Sequence, residues 1–541
     1  MFSIKKNIQQ LLSLMEQHGV TDVIVSPGSR NMPLTQSFAS HPHFTCHAVT
    51  DERSAGFFAI GLAINLNRPV AVCVTSGSAL LNLASAVSES YYQQVPLLVI
   101  SADRPTAWIG QMDGQTIPQT GIFGSLIRKE VSLPEPASET DIWHCNRLIN
   151  EALLELNHHV CGPVHINVPI SEPFFDCPVT EIESERTIMR SLPNFGNWSS
   201  AKRPLIIVGQ LKKSEAEPIK PLLAELNCPI ICEHISNLGN GKNFINNADL
   251  ILLSSDIEQF TPDVVIYIGG HIVSKRVKNL IRATKPQQCW RIDAEGICSD
   301  TFQCVSHIVE MSPKDFIKQL PPVDSKYLRT WQKASCSVET EIEKIKFGHT
   351  PFSVIRTIIN QMPEQSTLSL ANSSMVRYAQ LFKLNNNIHV ICNRGVNGID
   401  GTLSTTVGYA CANTSEQVFL LIGDLSFFYD MNALWLTNLP KNLHIILINN
   451  GCGEIFRILP GLPQNAYTEQ FVMASHNTSA KGWATELGVD YSAIRSENNI
   501  EECISTVIRK KEKTTLTEIF TDPKTDESVF TNIQKQIKSK L

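Results

Sequence analysis

The sequence predicts three consecutive α/β domains with mainly parallel sheets, and three observations carry that expectation. The chain has 541 residues, and at roughly 100 to 200 residues per domain that is room for about three cores. Short β-rich runs alternate with helical stretches, the pattern of strands joined by covering helices. That rhythm stops at polar or charged segments and twice restarts.

Taken in order, "MFSIKKNIQQLLSLMEQHGV" repeats Ile8, Leu11, Leu12 and Met15 at helical spacing between glutamines, and is expected as an amphipathic helix rather than a signal peptide. "DVIVS", "FTCHAV", "PVAVCVTS" and "PLLVISAD" then read as strands separated by helices, with "GPVHINVPIS" (162–171) as the last strand of a first domain, 1–180. A polar stretch, 178–203, reads as a linker. The rhythm resumes at "PLIIVGQ", "PIICE", "LILLSS" and "DVVIYIGG" and ends near "HIVEMSP", giving a middle domain, 198–330. A charged helix, "SKYLRTWQKASCSVETEIEKIK", leads to a third domain, 350–541, with strands "STLSLAN", "IHVICNRG", "QVFLLIGD", "LHIILINN" and "TLTEIF". No short-period repeat or low-complexity tract interrupts the pattern.

Apolar residues at 43%, charged residues at 18% and a net charge of −6 describe a soluble globular chain. They argue against nucleic acid or an anionic membrane as the main partner. No apolar run is long enough to span a bilayer. The 15 cysteines form no C-x-x-C pair, and many sit in apolar strand-like runs, as Cys73 does. They are expected as reduced core residues of a cytoplasmic protein.

Two segments carry chemistry. In "AVTDERSAGFFAIGLAI" (48–64), Asp51 and Glu52 open a helix that is otherwise small and apolar. Either both complement the helix dipole, or Glu52 is carried into an apolar site where a carboxyl is needed. In "LLIGDLSFFYDMNALWLTNLPKNLHIILINNGCGEIF" (420–456), two strands end in Gly423-Asp424 and Asn449-Asn450-Gly451. Parallel strands end on the same edge, so Asp424 and Asn450 can converge there. One carboxylate and one carboxamide oxygen suit Mg2+, and glycines with a following helix suit phosphate. Taken singly, each dipeptide is also an ordinary turn former.

The pair resembles the diphosphate-binding motif of thiamine-diphosphate enzymes, and the three units resemble their pyrimidine-binding, middle and diphosphate-binding domains. That resemblance implies thiamine diphosphate with Mg2+ or Mn2+ as cofactors. It also places Glu52 where the family's glutamate hydrogen-bonds N1′ of the aminopyrimidine, favouring the imino tautomer that removes the thiazolium C2 proton.

Further stretches narrow the resemblance: "SPGSRNMPL", "TDERSAGFFAIGLA", "SADRPTAWIGQMDGQTIPQTG", "GPVHINVP", "SKR" (274–276), "ANSSMVR" and "NRGVNGIDGTLST". Together they are similar to the 2-succinyl-5-enolpyruvyl-6-hydroxy-3-cyclohexene-1-carboxylate synthase family of menaquinone biosynthesis. The implied reaction decarboxylates 2-oxoglutarate and adds the succinic-semialdehyde carbanion equivalent to isochorismate. Both substrates are dianions, and Arg30, Arg104, Lys275, Arg276, Arg377 and Arg394 stand at motif positions suited to them. Singly, each is as well explained as a surface or ion-pair residue. By resemblance, Gln115, Arg377 and Arg394 join Glu52 in catalysis. Ser29, Gln115 and Ser373 add hydrogen bonds, and Ile455, Phe456 and Leu459 form an apolar wall. Ser373, Gly398, Ile399, Gly423, Asp424, Leu425, Asn450, Cys452 and Gly453 contact the cofactor, Ile399 holding it bent.

The metal ligands implied are Asp424, Asn450 and Cys452, the last through its carbonyl because a thiolate suits Mg2+ poorly. Three departures stand out: Leu425 replaces the final glycine of Gly-Asp-Gly, Cys452 replaces a glycine and is strained if φ is positive there, and Gly114 replaces an amide-bearing residue beside Gln115. The family pattern further implies a homodimer or homotetramer with active sites between subunits. Three rival readings are another thiamine carboligase or 2-oxo acid decarboxylase, a nucleotide-binding oxidoreductase suggested by "IIVGQ" and "IYIGGH", and a non-catalytic member of the fold.

Overall fold

Asp22–Val25, Val70–Val74, Leu97–Asp103 and Val164–Pro169 are almost wholly apolar and buried along their length, as strands covered by helices on both faces must be. In the computed structural model, which describes residues 1–323, 326–459, 461–496, 500–509 and 512–541, they are the centre of a six-stranded sheet. Its order is Thr45–Ala48, Asp22–Val25, Val70–Val74, Leu97–Asp103, Val164–Pro169, Lys129–Ser132, and all pairings are parallel. Helices Lys6–Gln17 and Glu139–Leu154 cover one face with Leu11, Met15 and Ile149. Glu52–Leu66 and Ala84–Gln93 cover the other through Ala55, Ala59, Ala63, Ala86 and Val87. Small residues permit that close approach: a Cβ on Gly56 would lie 2.5 Å from that of Ala86.

The chain divides into two units: 1–191 with 298–308, and 192–297 with 309–541. The second unit holds two sheets. One runs Phe244–Ile245, Ile230–Cys232, Pro204–Val208, Val264–Ile268, Gln288–Ile292, all parallel. The other runs His389–Ile391, Thr367–Leu370, Val418–Gly423, Leu443–Asn449, Thr515–Phe520, Asp490–Ile494, again all parallel. Numbered within each sheet, this last order is the same as that of the first unit's sheet, 2-1-3-4-6-5. The edge strand His389–Ile391 is closed off by Asn237, whose side chain accepts from Val390 N (2.7 Å) and donates to its carbonyl (3.0 Å).

Three sequence expectations need correction. "LILLSS" is not a strand: Ala248–Ile251 is a short helix followed by turns, because a brief apolar run has no period that separates the two. The stretch 178–203 is not simply a linker. Met189–Arg190 pairs with His307 and Ile308 in the first unit, and Trp198 is fully buried with Trp290 and Phe316 in the core of the second. Strands Lys129–Ser132, Phe244–Ile245, Gln288–Ile292 and Asp490–Ile494 were not foreseen.

Candidate active site

In the first unit the candidate residues gather at the carboxyl ends of the strands. Asp51 caps the helix, its Oδ1 accepting from Ser54 N at 2.8 Å, and that bond lowers its pKa. Glu52 is therefore spared the capping role, and its Oε2 accepts from Asn82 Nδ2 at 3.2 Å. Glu52 stands in the first turn of the same helix, where a carboxylate also complements the dipole. Glu52 is half-buried beside a helix face on which Phe57 and Ile64 are exposed.

Arg30 is buried, stacks on Phe174 with its guanidinium 4.3 Å from the ring centroid, and donates to the Ile170 carbonyl at 3.0 Å. Arg30 and Arg104 both approach Glu172 Oε1, at 3.5 and 3.7 Å, and Arg104 pairs with Asp113 Oδ2 at 2.5 Å. Ser29 and Gln115 are exposed. Gln115 holds a φ of 57°, a strained choice for a residue with a Cβ and one that recurs at binding loops. Gly114 contributes only backbone there, its N–H turning to Asp113 Oδ1 (3.0 Å).

Beneath this edge Ser101 Oγ lies 2.7 Å from His165 Nε2, and Glu130 Oε2 lies 3.3 Å from His165 Nδ1. The order matches a serine-histidine-acid triad, yet Ser101 and His165 are entirely buried and no substrate can reach the hydroxyl. The network is structural: Asn167 accepts from Ser101 (2.8 Å) and from Gln119 (2.7 Å), and Gln119 accepts from Gly77 N (2.8 Å).

In the second unit, ten of the expected residues line one cavity of about 130 Å³: Ser373, Ile399, Gly423, Asp424, Leu425, Asn450, Cys452, Gly453, Ile455 and Phe456. It opens where strands Thr367–Leu370 and Val418–Gly423 lie side by side and their connections diverge, the switch point at which parallel sheets bind ligands. Asp424 is buried; its Oδ1 accepts from Leu425 N (2.7 Å), and its Oδ2 from Asn450 N (3.1 Å) and Gly451 N (2.7 Å). The chain turns sharply at Gly451, with φ at 75° and room for a Cβ only 2.8 Å from the His476 carbonyl. The left-handed residue is thus Gly451, and Cys452 is not among the positive-φ positions, so the feared strain does not arise. Burial pushes the Cys452 thiol pKa up, while Arg457 beside it pulls the other way.

Around the cavity Ser373 has a φ of 71°. The Ile399 carbonyl accepts from Ser426 Oγ at 2.5 Å, and the Gly398 carbonyl from Asn372 Nδ2 at 2.6 Å. Leu459 is half-buried and does not line the cavity. Arg394 is buried and donates to Asn372 Oδ1 at 3.0 Å, and Arg377 donates to the Ser373 carbonyl. Burial, then Arg394, pushes the Arg377 pKa down. Arg276 pairs with Asp249, and Lys275 is exposed.

Three residues escaped sequence reasoning. Asn372 ties Arg394 to the carbonyls of Asn393 (2.7 Å) and Gly398, and its signal was its place inside "ANSSMVR". His476 Nε2 approaches Asp424 Oδ2 at 3.5 Å, which raises its pKa, and nothing in "SHNTS" announces that. Glu454 lines the cavity with its pKa raised to about 8, first by burial and then by Asp526.

Asp526 is fully buried and its pKa is raised to about 7 by that burial, against an ordinary value of 3.8. The folded chain therefore keeps this proton through a range in which the unfolded chain releases it, and stability falls as pH rises from about 4 to 7. In metal-free protein, Asp526→Asn is expected to remove about 2 to 4 kcal/mol of that fall. Denaturant midpoints measured at pH 4 and pH 8 check it, and parallel curves for variant and wild type would count against it.

Comparison with known proteins accords with this geometry. Residues 6–122 match the N-terminal TPP binding domain of thiamine pyrophosphate enzymes, 176–370 the middle domain, and 372–519 the C-terminal TPP binding domain. Over the full length of both chains, the sequence is 45% identical to the 2-succinyl-5-enolpyruvyl-6-hydroxy-3-cyclohexene-1-carboxylate synthase of Bacteroides thetaiotaomicron. The synthases of Bacteroides fragilis and Phocaeicola vulgatus are 45% and 43% identical, also over full length. The chain belongs to this synthase family of thiamine-diphosphate enzymes. Within the family frame, the donors at the cavity are a carboxylate, a carboxamide oxygen and main-chain carbonyls, hard oxygens that fit Mg2+ or Mn2+.

The middle domain tells against a nucleotide-binding rival. Its strand order, 3-2-1-4-5, places a switch point between Pro204–Val208 and Val264–Ile268. That crevice is filled by backbone: Gln210 N donates to the His271 carbonyl (2.9 Å), Gly270 N to that of Gln210 (2.8 Å), and a Cβ on Gly209 would lie 2.1 Å from the Gly270 oxygen.

Proposed function

We propose that the chain catalyses decarboxylation of 2-oxoglutarate and 1,4-addition of the resulting four-carbon unit to isochorismate, giving 2-succinyl-5-enolpyruvyl-6-hydroxy-3-cyclohexene-1-carboxylate. The observation that carries this reading is the switch-point cavity, where Asp424, Asn450 and Cys452 stand together below Ile399, Ile455 and Phe456. When bound there, thiamine diphosphate supplies the carbanion chemistry that no side chain can.

The chain's own groups do the rest. Asp424, the Asn450 carboxamide and the Cys452 carbonyl would hold Mg2+ or Mn2+, and Gly423, Leu425 and Gly453 would leave the backbone open to the diphosphate. Ser373, Gly398 and Ile399 shape the far wall, Ile399 acting as the prop. Glu52 would hold the pyrimidine ring of the cofactor, its carboxyl keeping a proton at Oε for a ring nitrogen. Arg377 and Arg394, with Lys275, Arg276, Arg30 and Arg104, take substrate carboxylates, while Ser29 and Gln115 supply hydrogen bonds and Ile455, Phe456 and Leu459 exclude water.

Glu52 needs a cover that its own helix does not provide. Phe57, Gly61 and Ile64, at i, i+4 and i+7, form an exposed stripe, and a Cβ on Gly61 would meet nothing within 4 Å. A second copy seated on this stripe would bury Glu52 and complete the site, in a homodimer or homotetramer. Light scattering is expected to find at least a dimer, and Phe57→Asp to shift it to monomers with loss of turnover. An active wild-type monomer would overturn this assembly. Fifteen unbonded thiols suit a reducing cytoplasm, and no helix among the described residues is long and apolar enough to cross a membrane.

The test of function is direct. Purified protein is mixed with thiamine diphosphate, Mg2+, 2-oxoglutarate and isochorismate, and loss of the diene absorbance is followed while each component is omitted in turn. Turnover requiring all four is expected. Turnover of pyruvate in place of 2-oxoglutarate would favour another carboligase.

A further inference from the structure

Arg30 precedes helix Met32–Ser40 and Arg104 follows strand Leu97–Asp103, yet the two guanidiniums converge on one oxygen. Arg30 Nη2 lies 3.5 Å from Glu172 Oε1, and Arg104 Nη1 lies 3.7 Å from the same atom. Two guanidiniums aimed at one carboxylate are the arrangement that would take a carboxylate of a substrate. The carboxylate between them belongs to the chain itself.

Neither arginine depends on Glu172 for its position. The Arg30 side chain is only 5% exposed, donates through Nη1 to the Ile170 carbonyl at 3.0 Å, and stacks 4.3 Å from the Phe174 ring centroid. Arg104 is paired with Asp113 Oδ2 at 2.5 Å, and its main-chain N–H donates to Asp103 Oδ1 at 2.8 Å. The other oxygen of Asp103 accepts from Asn167 Nδ2 at 2.9 Å, so that acid is already engaged. Glu172 differs from all of these: its side chain is 71% exposed, and both of its contacts with the arginines are long and made through Oε1. The chain on either side of it is nonetheless anchored. Ser171 N donates to Glu135 Oε1 at 2.5 Å, Lys5 Nζ donates to Ser171 Oγ at 2.8 Å, and Phe174 is buried. Release of the two guanidiniums therefore needs only rotation of one exposed side chain between its staggered rotamers. Ion pairs so open to water are held weakly and are readily displaced.

We propose that Glu172 is an internal competitor of the substrate, its carboxylate spanning Arg30 and Arg104 until a substrate carboxylate takes its place. This rests on the function proposed above and adds to it a residue that acts against substrate binding rather than for it. Apparent affinity equals the intrinsic affinity reduced by the fraction of molecules in which the arginines are released. Removing the competitor therefore lowers KM, whereas removing a support of the arginines would raise it.

The experiment uses full-length protein loaded with thiamine diphosphate and Mg2+, as wild type, Glu172→Gln, Glu172→Ala and Glu172→Asp. Initial rates are measured against 2-oxoglutarate at saturating isochorismate, and against isochorismate at saturating 2-oxoglutarate. In the Gln and Ala variants KM for one substrate is expected to fall about threefold to tenfold with kcat within about twofold, as loss of two weak ion pairs predicts. The substrate whose KM falls is the one that the two arginines hold. Aspartate keeps the charge but draws the carboxylate back by about 1.5 Å, one C–C bond, which takes both contacts out of ion-pair range, so its KM should fall too. A wild-type KM in the Asp variant would show that charge alone acts, and would overturn the competing contact. Unchanged or raised KM for both substrates in Gln and Ala overturns the proposal, as does a fall in KM matched by an equal fall in kcat. Misfolding cannot mimic the expected result, because it does not raise kcat/KM. An inactive wild type would remove the proposed function itself, whereas an active wild type with unaltered Gln and Ala variants removes only the role of Glu172.

Discussion

Glu52→Gln is expected to lower 2-oxoglutarate decarboxylation by at least about a thousandfold while leaving cofactor affinity within about threefold. The amide keeps the size of the side chain and an oxygen to accept from Asn82 Nδ2. What it loses is an acidic proton that can be shared with a ring nitrogen. Stability should change little, because the helix cap belongs to Asp51 and not to Glu52. Asp51→Asn is the matched control, since asparagine caps as well as aspartate, and its turnover should stay near wild type. Carbon dioxide release at saturating cofactor, with cofactor affinity measured by titration, separates the two variants. Near-normal turnover by Glu52→Gln would remove the assigned role, and equal losses in both variants would point to the helix end rather than the carboxyl.

Much of this site was legible because its chemistry is punctuated. Strands buried on both faces appear as unbroken apolar runs, and each ends in glycine or a short polar residue where the chain must turn, as at Gly423-Asp424 and Asn449-Asn450-Gly451. Edge strands lack that signature. Lys129–Ser132 and Asp490–Ile494 are only partly buried, so polar residues interrupt them. Trp198 shows the opposite failure: one large side chain anchors an otherwise polar segment, and composition averages it away. Asn372 and His476 are defined by partners about 20 and 50 residues away in sequence.

Asp424→Ala is expected to weaken Mg2+-dependent cofactor binding by at least about a hundredfold, since loss of a mere supporting partner of a metal ligand already costs ten to a hundredfold. The carboxylate has two duties that substitutions can separate. It accepts three main-chain N–H groups, from Leu425, Asn450 and Gly451, and it presents a remaining lone pair to the cavity. Alanine removes both duties, leaving the Leu425 and Asn450 N–H groups without that acceptor and Gly451 N with Asn449 Oδ1 at 3.2 Å, so the turn that aims Asn450 and the Cys452 carbonyl should loosen as well. Asparagine keeps one oxygen and sets an NH2 against the remaining N–H donors, so the loop should loosen less while the charge facing the metal disappears. With cofactor and Mg2+ at about 100 times the wild-type Kd, linkage stabilises the wild-type fold by about 2.7 kcal/mol, and that gain should vanish in both variants. Thermal midpoints with and without ligand read this in the absence of any turnover. An undiminished ligand-induced shift in Asp424→Asn would dismiss the metal assignment, because a site that tolerates an amide in place of this buried carboxylate does not rely on it to hold a divalent cation.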